Sequence, residues 1–148
     1  MERIADICRR YDIVLCYLFG SQAESGLSIL QGGTAESSDP GSDIDFAVLF
    51  KERPQNSLKT YATLSLDLQG LVSPFRADLL FLHEVDHLIQ LEAIKGACIY
   101  SEDETLREEY EEKVMMFAAE ELVIFKLNEK DMFEAMDNGY FEFEYKAH

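Results

Sequence analysis

The stretch "GSDIDFAVLF" sets Asp43 and Asp45 one residue apart at the mouth of an apolar run. Side chains alternate along an extended strand, so both carboxylates point to one face, with Cα atoms about 6 to 7 Å apart. Carboxylates so placed repel each other, and one buried in an apolar sheet without a partner protonates. Keeping several ionised calls for divalent cations, and all-oxygen ligands favour magnesium or manganese. A third acid, Asp78, lies in the strand-like run "FRADLLFL", on the same face as Arg76. It completes a carboxylate triad if that strand neighbours the first. Upstream, "LFGS" puts Gly20 and Ser21 at the end of a β-rich run, where backbone N–H groups and a hydroxyl can approach an anion unobstructed. Cation-holding carboxylates beside an anion cradle suit a nucleoside triphosphate.

The elements that position these residues follow from hydrophobic periodicity. Ile4, Ile7, Cys8 and Tyr11 recur at helical spacing ahead of a buried strand, "IVLCYLF". From Ser21 to Ser42 the composition turns to Gly, Ser, Gln, Glu and Asp with one apolar island, "LSIL", which reads as a long loop. Leu58, Tyr61, Ala62, Ser65, Leu68, Leu71 and Val72 form one helical stripe, with Ser57 as the expected N-cap and Pro74 as the stop. Residues 84 to 95 read as helix, "ACIY" as a short strand, and a long helix is expected from about Glu104 to Lys130 or beyond. Its "VMMFAAEELVIF" is apolar over more of the circumference than one core contact needs, which points to a second surface, another helix or another molecule, and so to a homo- or hetero-oligomer. The tail "YFEFEYKAH" alternates and reads as a frayed end or an edge strand. The expected fold is α/β: one domain over 1–148, a small mixed sheet with helices packed on one face, and 101–148 as a helical extension and tail.

Composition narrows the partners. With 13 Lys and Arg against 29 Asp and Glu, the 148-residue chain carries a formal charge of −16, which repels phosphate backbones and argues against nucleic acid. Cys8, Cys16 and Cys98 are odd in number and lack metal-ligand spacing, so they read as free thiols. No signal sequence and no membrane-length apolar run is visible, and a cytoplasmic location with no membrane partner is expected. "HEVDH" matches the zinc-peptidase pattern, with His83 and His87 as ligands, Glu84 activating water and a third ligand from Glu108 or a neighbour. That chemistry needs both histidines on one helix, yet His83 directly follows a strand. Turn and surface histidines are the expectation.

Taken in order, "LFGSQA", "GSDIDFAV" and the acid in "RADLLFL" resemble the nucleotidyltransferase fold shared with DNA polymerase beta, most closely its minimal stand-alone members. The resemblance covers roughly residues 4 to 100. It implies that Gly20 and Ser21 hold the β and γ phosphates of ATP, that Asp43 and Asp45 hold two magnesium ions, and that Asp78 joins the metal site and orients or deprotonates an acceptor hydroxyl. Small members often act as antitoxins beside a HEPN-domain ribonuclease toxin, and characterised ones transfer AMP to a toxin tyrosine, which implies the same partner and reaction here. Where the family usually places a small and then a basic residue after Gly-Ser, this chain has Gln22, Ala23, Glu24 and Ser25. Arg76 is a candidate for the missing nucleotide-binding charge, or for an ion pair with Asp78. Two alternatives stand beside this reading: a toxin-binding module of the same fold without chemistry, and nucleotidyl transfer to a small cation such as an aminoglycoside.

Overall fold

The computed structural model describes residues 2–33 and 42–137. Four strands, β1 (Ile13–Phe19), β2 (Asp43–Phe50), β3 (Arg76–Phe81) and β4 (Ala97–Ser101), form one sheet in the order β3-β2-β1-β4. β1 is antiparallel to both β2 and β4, while β2 and β3 are parallel, so the sheet is mixed as expected. Five helices complete the chain: α1 (Glu2–Arg10), α2 (Ala23–Leu30), α3 (Ser57–Val72), α4 (His87–Ile94) and α5 (Glu104–Asp137).

The period-two pattern of β2 divides the core. Ile44, Phe46, Val48 and Phe50 face one side with Cys16 and Leu18, where Ile4, Ile7 and Cys8 of α1 and Leu64, Leu68 and Val72 of α3 close over them. Each such buried side chain contributes roughly 1.5–3 kcal/mol. Ala47 and Leu49 face the other side with Leu15 and Tyr17, covered by Ala93 of α4 and by Leu106 and Tyr110 of α5. Helices therefore pack on one face as expected, and α4 with the first turns of α5 cover part of the second. Asp43 and Asp45 lie on this second face, four and two residues before Ala47, where the strand enters its apolar cluster.

Two local readings are corrected. The expected loop after Ser21 holds a helix, α2, whose Ala23, Leu27 and Leu30 pack against the first cluster. Its Gly26 is buried, and a Cβ there would stand 2.8 Å from Ile44 and 3.2 Å from Leu18, so the glycine that looks like a loop signal is what lets the helix lie against the sheet. Residues 34–41 of that stretch and the alternating tail at 141–145 lie outside the described residues. Helix α3 is capped one residue earlier than expected: the Asn56 side chain, not Ser57, accepts from the Lys59 N–H at 3.1 Å. No helix among the described residues is long and apolar enough to cross a membrane.

Candidate active site

Parallel pairing of β2 with β3 puts Asp43 opposite Arg76 and Asp45 opposite Asp78, while antiparallel pairing with β1 puts Asp45 opposite Phe19, the residue before Gly20. Residues paired in register point to the same face, so three carboxylates from two strands and the Gly-Ser turn of a third converge at one end of the sheet. Gly20 has φ of +76°, a left-handed conformation that glycine adopts freely, and a side chain there would run into the Asp45 carboxylate. Backbone and carboxylate can approach this closely only because that position has no Cβ.

The electrostatics are those of an acid cluster. Burial pushes the Asp45 carboxyl above the ordinary carboxylate value, the neighbouring Asp78 and Asp43 charges push it further, and a hydrogen bond to Asp78 adds to the rise. Asp43 has a cationic neighbour: Arg76 Nε lies 3.6 Å from its Oδ1, with the arginine side chain largely exposed and the aspartate about half exposed. Arg76 therefore pairs with Asp43, its register partner, and not with Asp78, and its charge is engaged in the acid cluster. Among the described residues no three His, Cys, Asp or Glu side chains close around a single point. The donor set nevertheless fits a hard divalent cation, because its ligands are all oxygens and their mutual repulsion, visible in the raised Asp45 carboxyl, is what a bound cation relieves. Asp45, with Asp43 on leaving Arg76, would hold it, and Asp78 stands beside them in register with Asp45.

A cleft of about 560 Å³ opens beside the cluster, lined by Gly20, Ser21, Ala23, Glu24, Leu27, Glu92, Lys95, Gly96 and Ala97. Lys95 is the one cation in this lining, and its Nζ sits 3.3 Å from Glu92 Oε1. It occupies the end of α4 ahead of β4, and Gly96 packs so tightly on Leu18 and Phe19 that any Cβ would overlap their backbone. Sequence reasoning missed Lys95. The signal was "KGACIY", a basic residue and a glycine before a strand, but only the β1–β4 pairing brings it beside Gly20.

The zinc pattern is not assembled. His83 lies in a 3-10 turn, Leu82–Glu84, and stacks on Phe81 with ring centroids 5.8 Å apart. His87 opens α4, where it contacts Glu121 and stacks on Phe117 of α5. Its role is to tie α4 to α5.

Mixed sheet, Gly-Ser turn and strand-borne aspartates define a nucleotidyltransferase domain, and the chain belongs to the polymerase beta nucleotidyltransferase family, whose model matches residues 2–105. Among solved structures, the chain is similar to one in the toxin–antitoxin complex MntA–HepT, with TM-score 0.62, 17% identity, and 89% of this chain and 95% of that one covered. A tri-AMPylated Shewanella oneidensis HEPN toxin in complex with MNT antitoxin matches at TM-score 0.62 and 17% identity, over 89% of this chain and 94% of that one. A toxin–antitoxin structure with AMP-PNP matches at TM-score 0.54 and 18% identity, over 93% and 95%. At these identities the likeness is one of fold. Among curated proteins the sequence finds no match.

Proposed function

We propose that this chain transfers AMP from ATP to a hydroxyl group, the acceptor being a tyrosine of a HEPN-type toxin that it thereby neutralises. The observation that carries the reading is the position of Asp45, between Asp78 and the backbone of Gly20. This brings acids suited to a metal-bound phosphoryl centre against a turn suited to anionic oxygens. A HEPN toxin modified by AMP in complex with an MNT antitoxin, on the same fold, supports the choice of acceptor and partner.

The residues then divide the work. Ser21 and the backbone N–H groups at the start of α2 hold the terminal phosphates, and Lys95 supplies the positive charge that Glu24 does not. Asp43, on leaving Arg76, and Asp45 would hold magnesium, which when bound would supply neutralisation of the developing phosphate charge. Asp78 orients the acceptor hydroxyl and takes its proton. The acceptor oxygen bonds to the α-phosphorus, the bond from that phosphorus to the bridging oxygen of the β-phosphate breaks, and pyrophosphate leaves in line.

Intact-mass spectrometry of the protein with its co-purified partner, before and after magnesium and ATP, tests this. One or more adenylate masses on the partner, absent with Asp43→Asn, is the expected result. A bound partner left unmodified by each nucleoside triphosphate in turn favours masking without chemistry, a reading to which Glu24 and Glu92 in the cleft lend weight.

A further inference from the structure

Helix α5 uses one side to hold the domain. Leu106 and Tyr110 pack against the second core cluster, Val114 and Ala118 on the same side are buried, and Phe117 and Glu121 meet His87. The opposite side is unpaid in polar groups: Met115, Met116, Leu122, Val123 and Leu127 are all exposed, from 40% to 57%, and Ala119 among them is exposed as well. At about 100° per residue these six fall within an arc of about 140° with Ala119 near its centre. Ile124, also exposed, falls outside it.

Charges bracket this stripe with opposite sign at its two ends. Glu108 and Glu112 precede it on the same face, and Lys126 and Lys130 run through and beyond its C-terminal end. The arrangement is self-complementary about Ala119. When a second copy of α5 is laid antiparallel across that residue, Met115 meets Val123 and Met116 meets Leu122. In the same register Glu112 meets Lys126 and Glu108 meets Lys130, each pair formed twice by symmetry, while Lys130 also lies 4.0 Å from Glu134 of its own helix and Leu127 at the margin of the stripe meets Glu111. The smallest side chain of the stripe sits at the crossing, where the helices approach closest.

We propose that the occupant of this face is a second copy of the chain, docked as an antiparallel α5–α5 pair centred on Ala119. The surface suits itself better than it suits an arbitrary apolar groove, because an unrelated partner would have to reproduce both the acid-to-base order and its spacing. The pairing is independent of the chemistry at the carboxylates, which lie on the sheet.

Light scattering coupled to size exclusion on the purified chain alone should read twice the 16.9 kDa chain mass. Glu112→Lys should shift the protein to the monomer mass, and Glu112→Lys combined with Lys126→Glu should restore the dimer. Ala119→Cys should give a disulfide-linked dimer on mild oxidation, while the parent chain, with its own three cysteines, should not. Circular dichroism confirms that each variant is folded. A monomer for the parent chain overturns the proposal, as does a dimer indifferent to Glu112→Lys. If the parent is monomeric and Leu122→Glu abolishes capture of the toxin, the face belongs to that partner instead.

Discussion

An aspartate wedged between a second aspartate and a glycine backbone ionises against resistance. Because burial and the Asp78 and Asp43 charges raise its carboxyl in the folded state, Asp45 binds its proton more tightly folded than unfolded. The favourable contribution is therefore complete below the ordinary carboxylate range and is lost as pH rises through that range to the raised folded value. Without divalent cations, Asp45→Asn should raise the Tm at neutral pH by about 2 °C, a small effect because the group is partly exposed. In acid, where the parent Asp45 is protonated in both states, the gain should vanish. Thermal melts across the pH series read both, and a variant less stable than the parent at neutral pH would show that the cluster is not under repulsion. The sign is the reverse of the usual aspartate, which is held ionised by its neighbours.

At the scale of elements, α2 follows the Gly20-Ser21 turn and lies close against the sheet because Gly26 has no side chain. Gly26→Val should lift the helix and cost about 1–3 kcal/mol in urea unfolding, with weaker ATP binding in the folded protein, since Gly20 and Ser21 lead into its first turn. The strands β1, β2 and β3 and the helices α3 and α5 were legible in the sequence, because each has a period matched to its burial: alternation in "DIDFAVLF", a three-to-four repeat from Leu58 to Val72. Helix α2 was not legible, because the glycine that enables its close packing is also the commonest mark of a loop. The acids of the site could be read from spacing alone. Their division into a pair, Asp45 with Asp78, and a salt bridge, Asp43 with Arg76, depends on the parallel register of β2 and β3, which no local pattern encodes. Lys95 was hidden for the same reason, since its neighbours are set by β4 pairing with β1.

For the whole molecule, a formal charge of −16 on 148 residues is a standing self-repulsion. Added sodium chloride should raise the Tm by screening it, in the parent and in an Asp43→Asn/Asp45→Asn variant alike. Magnesium at equal ionic strength should raise the parent's Tm further and give the variant no such excess; an equal response of both would place no cation at the cluster. The order of the sheet carries one more consequence, because it leaves β3 as an edge strand. An unpaired edge presents a row of free peptide groups and templates the addition of further strands, a hazard that exposed charges on the edge suppress. Arg76 and Asp78 are exposed on that edge strand. The charges of the candidate site, with the Gln69 side chain that accepts from the Ala77 N–H at 2.9 Å, thus also guard the sheet against growing strand by strand into aggregate.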